Sequence, residues 1–399
     1  MTHRKDRLRV FLVGTEFFRS YGGIQYINRL LVRAFREMQR RTPLDLEVFS
    51  FVDGPEHFPA EAPDSAVRWH GASRERGRIA LQFVRRLALV KPDLVLFTHV
   101  SMLPMADAVA ALAPQARVAA LAHGTEVWRP LTGRVARSLR RVDSWACPSA
   151  FTAEKLVSTQ GIARERVKVV PHGLDPEWTS EAADRGDRDT GNRKGQTILS
   201  VTRLSRADRE GKGIELVLRA LPAVLTQFPG AHYTVVGGGT DLPAMADLIR
   251  RLGLEQQVEL AGACGAEELR RAYVQADIFV LPTKVEGFGV VFLEAMQSGL
   301  PVVAARAAAA PEVVEDGVTG ILTDPGNHGE IAEALVALLR DCERRCAMGK
   351  AGRQRVERMY RFEHFTARWE AWLASQAPEA IYTARQNGAY ALAQAAGAH

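Results

Sequence analysis

The chain of 399 residues is long enough for two domains of ordinary size, each with its own buried core. Its 47% hydrophobic and 25% charged residues are the balance of a globular protein, and no apolar run approaches the roughly 18 residues that a membrane span needs. The net charge of +6 is uneven: residues 1–180 hold 27 Lys/Arg against 18 Asp/Glu and residues 181–399 hold 25 against 28, so +9 in the first half and −3 in the second, which points the first half towards an anionic partner.

The basic N-terminus runs directly into a strand-like apolar stretch at residues 9–14, with no export-type segment after it, so a cytoplasmic location is expected. Residues 24–39 carry apolar side chains at helical spacing. Residues 46–52 read as a strand, 78–90 as a helix and 93–98 as a buried strand, and strands at 118–123, 144–148 and 167–171 complete the first set. The polar, aperiodic residues 179–195 read as a linker. Strands at 197–203, 233–236, 258–261, 277–282, 301–305 and 320–322 then alternate with helices, two of them at 214–227 and 241–252. A long helical run follows from 328 to about 360, then an amphipathic helix at 362–375 holding Trp369 and Trp372.

Strands alternating with helices imply parallel sheets of the doubly wound α/β type, twice over. The expected organisation is a first domain at 1–178, the linker at 179–195, and a second domain at 196–360. A helix at 361–376 is expected to pack back on the first domain, and 377–399 to form a loosely held tail. Cys147, Cys264, Cys342 and Cys346 make no zinc-type pair of pairs and read as reduced thiols.

The sharpest pattern is Glu286-Gly-Phe-Gly-Val-Val-Phe-Leu-Glu294. Gly287 and Gly289 make a turn whose backbone can approach a ligand, between an apolar strand and a helix that ends at Gly299-Leu-Pro301. Glu286 thus lies beyond the carboxyl end of a strand, where open α/β sheets place ligands. Glu294 lies about 7 Å along the helix axis from Gly289. Two carboxylates beside an exposed helix N-terminus suit a ligand with hydroxyls for the carboxylates and a phosphate for the free N–H groups.

With the flanking Leu-Glu-Ala-Met and Gly-Leu-Pro-Val-Val, this motif resembles the retaining glycosyltransferases of family four, whose GT-B fold sets two Rossmann-like domains about a central cleft. The resemblance covers about residues 8–375. It implies that Glu286 contacts the donor sugar and Glu294 the nucleotide ribose, with Gly287, Phe288 and Gly289 offering backbone amides. Ser200-Val-Thr-Arg203 and then Lys212-Gly213 resemble the family's Arg and Lys that grip the donor diphosphate. Two cations there can stabilise the leaving phosphate without a metal, so no metal and no cofactor are expected. His123, in Ala-His123-Gly-Thr-Glu126, matches a histidine that the family projects towards the sugar. Gly22-Gly23, ahead of the first helix, resembles the loop used near the donor phosphate and acceptor, and Val236-Gly237 a turn near the nucleotide. Two places depart from the pattern: Arg306-Ala-Ala-Ala-Ala-Pro311-Glu312 stands where Gly-Gly is frequent, and His172 where Asn is commoner.

The expected function is therefore transfer of a hexose-type sugar from a UDP- or GDP-sugar to a glycan or lipid-linked acceptor, with a GT-B-like nucleotide-sugar epimerase and a non-catalytic nucleotide-sugar binder as alternatives. The arginines at 74, 76, 78, 85, 86, 134, 137, 140 and 141 admit two readings, contact with an anionic membrane surface or plain solvation. No nucleic-acid module and no basic stripe interleaved with aromatics is found, so nucleic acid is not an expected partner.

Overall fold

The computed structural model describes residues 7–178 and 196–376, apart from 21, 60–66, 72, 74 and 206–208. The expected linker at 179–195, the expected tail at 377–399 and Arg74 lie outside the described residues. The chain forms two compact units, one of Met1–His172 with Phe362–His399 and one of Gly173–Arg361. The first stretch therefore closes at His172 rather than at 178. Residues after it join the second unit, where the Leu174 N–H donates to the Tyr360 carbonyl at 2.8 Å and Trp178 packs edge-on to Tyr273 at 5.3 Å.

The first unit is built on seven parallel strands: β1 (Leu8–Gly14), β2 (Leu44–Ser50), β3 (Val67–Gly71), β4 (Leu94–Phe97), β5 (Arg117–Leu121), β6 (Ser144–Cys147) and β7 (Val167–Val169). Their order is β3-β2-β1-β4-β5-β6-β7. The central strands are buried on both faces, which explains their near-continuous apolar runs. The helix Gly23–Gln39 buries Ile27, Leu30, Leu31, Ala34, Phe35 and Met38, one face at helical spacing. The helix Phe362–Gln376 packs on it, with Phe35 and Trp369 ring centroids 6.4 Å apart.

Strand β3 has no counterpart among the expected strands, because Val67-Arg-Trp-His-Gly71 lacks an apolar run. Its polar residues are matched by partners on other elements. On β2 the buried Glu47 accepts from His70 Nε2 at 2.8 Å and from Arg86 Nε at 2.9 Å, and Gln82 meets the other His70 ring nitrogen at 2.7 Å. Burial alone would raise the Glu47 carboxyl; the hydrogen bonds from His70 and Arg86 and their charges outweigh it and hold it at about 2. Arg86 is thereby committed to Glu47 and is withdrawn from the arginines offered to a membrane. Cys147 is buried on β6, and burial pushes its thiol up to about 12.

The second unit holds six parallel strands in the order β10-β9-β8-β11-β12-β13. These are β8 (Thr197–Val201), β9 (His232–Val236), β10 (Val258–Gly262), β11 (Ile278–Leu281), β12 (Val302–Ala305) and β13 (Gly320–Thr323). The helical run expected from 328 to about 360 is two helices, His328–Arg340 and Cys342–Met359. Asp341 leaves the helical conformation at φ −110° and ψ 93°, and its carboxylate accepts from the Arg344 N–H at 2.9 Å, an N-cap inside an otherwise helical pattern.

Candidate active site

In an open parallel sheet the ligand crevice lies beyond the carboxyl ends of the two strands where the order reverses. That point falls between β1 and β4 in the first unit and between β8 and β11 in the second. Of the residues singled out from the sequence, Gly22 and Gly23 follow β1, Arg203 and Lys212 follow β8 and Glu286 to Glu294 follow β11, whereas His123 follows β5 and Gly237 follows β9, each one strand away from the reversal.

In the second unit, Arg203 lies exposed on the loop leaving β8, and Glu286 on the loop leaving β11. The two loops are pressed together. Lys284 N–H donates to the Gly211 carbonyl at 2.7 Å, and Gly213 has φ +77°, with Pro282 O only 2.5 Å from where a Cβ would stand. This contact sets Lys212 Nζ 3.0 Å from Glu286 Oε2, with the two side chains 21% and 19% exposed. Gly237 has φ +142°, and a Cβ there would lie 1.8 Å from the Thr202 carbonyl oxygen. The protein's own backbone, on the segment that carries Arg203, therefore already demands glycine at 237.

The helix after the motif starts at Val290, with Gly289 at φ +92° and no room for a Cβ against the Phe292 ring, 2.3 Å away. Gly287, Phe288 and Gly289 are buried, so the helix terminus is not the exposed one expected; the Phe288 ring packs edge-on to Tyr360 at 5.8 Å. Glu294 is 7% exposed, and the Tyr273 hydroxyl donates to its Oε2 at 2.8 Å. Burial raises the Glu294 carboxyl to about 7, against the lowering effect of the Tyr273 bond. The Ala-rich departure is built into this site: Ala308 adopts φ +50° and the Ala309 N–H donates to the Glu286 carbonyl at 3.2 Å.

In the first unit His123 follows β5. Its backbone N–H donates to the Glu126 carboxylate, and its Nε2 lies 2.7 Å from the Thr98 carbonyl at the end of β4. A carbonyl only accepts, so Nε2 carries the proton and Nδ1 keeps a lone pair. His99 and His172 flank it, with ring centroids 6.4 and 6.3 Å away. Burial lowers His123 and His99 below the usual imidazole range and His172 well below it; Glu126 opposes the shift at the first two, and the neighbouring imidazole adds to it at His99 and His172. All three are neutral near pH 7. His99 is absent from the residues expected, although a histidine just past an apolar strand was a visible signal.

Gly22 is extended at φ 179°, where only the flexible Gln25 side chain would meet a Cβ, and Gly23 has nothing within 4 Å. Nothing within the described residues requires glycine at either position, unlike Gly237. Asp53 is a further residue that sequence reasoning passed over. Fully buried beyond β2, it accepts from the N–H groups of Phe17, Phe18 and Arg19 at 2.6, 3.2 and 2.8 Å and from the Ser50 hydroxyl at 2.7 Å. It thereby holds the loop that leads to Gly22.

Among the described residues no three His, Cys, Asp or Glu side chains are grouped to hold a metal ion, and no helix is long and apolar enough to cross a membrane.

A family model described as Glycosyl transferases group 1 matches residues 187–355, and one described as Glycosyltransferase Family 4 matches residues 21–178. A GDP-mannose-dependent alpha-(1-6)-phosphatidylinositol monomannoside mannosyltransferase of Mycobacterium tuberculosis is 30% identical over 390 residues, which cover 90% of this chain and 96% of the relative. A sulfoquinovosyl transferase of Arabidopsis thaliana is 32% identical over 227 residues, 55% of this chain and 42% of that one. Among solved structures, Anabaena HepE in complex with UDP-glucose is similar with a TM-score of 0.69 at 20% identity, covering 92% of this chain and all of that one. A sucrose-phosphate synthase of Thermosynechococcus elongatus is similar with a TM-score of 0.72 at 19% identity, covering 92% and 98%.

Proposed function

The chain belongs to glycosyltransferase family 4, with two Rossmann-like parallel-sheet domains of the GT-B type, and from that premise we propose that it transfers a hexose, with retention and without a metal, from a nucleotide-diphosphate sugar to a lipid-linked acceptor. GDP-mannose is the first donor to try and a phosphatidylinositol glycoside the first acceptor, after the mycobacterial relative that spans nearly the whole chain. The observation that carries the site assignment is the Lys212–Glu286 pair at the reversal point of the second sheet.

The bond that breaks joins the sugar's anomeric carbon to the β-phosphate oxygen, which keeps the electron pair. The acceptor hydroxyl oxygen bonds that carbon on the same face and passes its proton to the departing phosphate oxygen. Arg203 and Lys212 stabilise the charge left on the diphosphate. Glu286 accepts hydroxyls of the sugar and fixes its orientation. His123, neutral and with Nδ1 as an acceptor, takes a further hydroxyl, and Glu294 takes those of the ribose.

A peripheral cytoplasmic membrane location is part of this proposal. The helix Arg76–Val90 turns Leu81 and Leu89 outwards, 70% and 65% exposed, beside exposed Arg78 and Arg85. Apolar side chains between arginines suit the surface of an anionic bilayer.

The test is a panel of GDP-, UDP- and ADP-sugars, reading released nucleoside diphosphate with and without phosphatidylinositol mannoside and with a chelator. Acceptor-dependent release that survives chelation is expected. Epimerised donor without acceptor, or near-normal transfer by Glu286→Ala at saturating donor, overturns the assignment.

A further inference from the structure

The helix Cys342–Met359 carries six Lys or Arg against two Glu, yet three of its arginines are turned onto the body of the second unit. Each meets the C-terminal end of a different helix, where the last carbonyls have no intrahelical partner and the dipole favours a cation. Arg345, 8% exposed, donates from Nη1 to the Leu338 carbonyl at 2.7 Å in the helix His328–Arg340. Arg353 Nε donates to the Gln297 carbonyl at 3.2 Å in the helix Val290–Gln297, which carries Glu294. Arg355 takes the one-turn helix Ala310–Val313, with Nε 2.9 Å from the Val313 carbonyl and Nη2 3.0 Å from that of Glu312. Its Nη1 lies 3.4 Å from Glu315 Oε2, and the Arg355 side chain is 18% exposed.

The third of these contacts leads to the site. A single turn is too short to hold its shape alone, and Pro311 removes one of its N–H groups. The segment just before it is the Ala-rich one, where the Ala309 N–H donates to the Glu286 carbonyl at 3.2 Å and the Glu312 N–H donates back to the Ala309 carbonyl at 3.1 Å. The turn that fixes Glu286 is thus one hydrogen bond away from the residues that Arg355 grips.

The other end of the arginine is anchored. The helix Cys342–Met359 lies so close to the end of the helix Val290–Gln297 that a Cβ on Gly349 would run into the Gly299 carbonyl oxygen, and one on Gly352 would crowd the Met296 side chain at 3.0 Å. A planar fork spanning two carbonyls and a carboxylate leaves the short helix little freedom against this support.

We propose that Arg355 is a positioning residue for Glu286: by holding the Glu312 and Val313 carbonyls it keeps the Ala309 N–H on the Glu286 carbonyl, and so keeps the carboxylate at the donor sugar. The inference rests on the proposed role of Glu286 in transfer and adds the remote group that maintains it.

The test combines amide exchange with a double-variant cycle on the full chain. Exchange across residues 306–314 becomes about tenfold faster in Arg355→Ala, while the strands β8 and β11 exchange as in the wild type. Transfer is read with whichever GDP-, UDP- or ADP-sugar gives the most acceptor-dependent release of nucleotide. At saturating donor, kcat falls about tenfold in Arg355→Ala. Affinity for the matching nucleoside diphosphate, which lacks the sugar, stays within about twofold. In the Glu286→Ala background the same substitution changes kcat by less than about twofold, because its target is gone. Arg355→Lys, a charge without the fork, falls between wild type and Arg355→Ala, and it carries the cycle where Arg355→Ala does not fold; a wild-type rate in it then overturns the inference. Unchanged exchange at 306–314, a wild-type rate in Arg355→Ala, equal losses in both backgrounds, or nucleotide affinity lost in step with kcat also overturns it, leaving Arg355 a stabiliser of the unit. Near-normal transfer by Glu286→Ala alone counts against the proposed role of Glu286 itself, whereas a loss there beside wild-type transfer in Arg355→Ala overturns only the positioning.

Discussion

Lys212 Nζ donates to Glu286 Oε2 at 3.0 Å, joining the two loops that leave β8 and β11. In the free protein the pair neutralises itself. A bound donor must redirect it, the ammonium to phosphate and the carboxylate to sugar hydroxyls. Lys212→Ala is expected to cut kcat about 10²- to 10³-fold, the scale of losing one preorganised charge stabiliser. Glu286→Ala is expected to do the same, and the double variant to lose much less than the product of the two, because they act as a unit. Steady-state kinetics with saturating donor read this; fully multiplicative losses would show the two to be independent.

Glu294 gives stability a dependence on pH. Its folded pKa of about 7 lies above the 4.5 of the free carboxyl. The native state therefore keeps a proton that the unfolded chain releases, and stability falls as pH rises from about 4.5 to about 7. The full loss is about 3 kcal/mol. Glu294→Gln removes this slope while its amide oxygen still accepts from Tyr273. Urea midpoints at pH 5 and pH 8 should show the wild-type chain losing stability relative to the variant at the higher pH; parallel profiles would mean that Glu294 is ionised throughout.

The alternation of strands and helices, and with it two parallel sheets, was legible because both kinds of periodicity are strong where strands are buried on two faces and helices on one. Strand β3 was not, since His70 and Arg68 sit in it and the partners that make His70 tolerable, Glu47 and Gln82, are 23 and 12 residues away. The spacing of Glu286 and Glu294 marked the site, but their different environments were hidden. Glu286 meets a lysine 74 residues earlier, and Glu294 a tyrosine 21 residues earlier on the helix Ala266–Gln275. A single sequence carries no sign of which buried tyrosine will face which carboxyl. The glycines show the same limit, for Gly23 and Gly237 look alike in the sequence and differ entirely in what surrounds them.

That difference can be measured. At Gly237 a Cβ would stand 1.8 Å from a backbone oxygen at φ +142°, so Gly237→Ala should destabilise by about 3 kcal/mol or more. At Gly23 nothing lies within 4 Å, and the residue opens the helix Gly23–Gln39. Gly23→Ala should leave stability unchanged or raise it by up to about 1 kcal/mol. If the donor or acceptor approaches this loop closely, the same variant raises KM. Unaltered kinetics in Gly23→Ala would take this glycine out of the site.

Ala308 provides the converse case, a residue with a Cβ where the backbone favours none. Its φ of +50° lies in the left-handed region, which costs an L-residue roughly 1–2 kcal/mol. Glycine relieves that strain and loses about 0.5–1 kcal/mol through the freedom it adds to the unfolded chain. Ala308→Gly should therefore stabilise by about 0.5–1 kcal/mol, raising Tm by roughly 2 °C. The next residue's N–H holds the Glu286 carbonyl at 3.2 Å, and the hydrogen bond asks only for the turn, which glycine preserves. Transfer should therefore stay within about twofold of the wild-type rate. Ala308→Val should do the opposite, because a β-branched side chain fits the left-handed region poorly, lowering Tm and, through the displaced Ala309 N–H, weakening the placement of Glu286. Thermal melts of the two variants, read beside their transfer rates, decide it: a lower Tm for Ala308→Gly would mean that the turn is held by packing of the Ala308 methyl rather than strained by it.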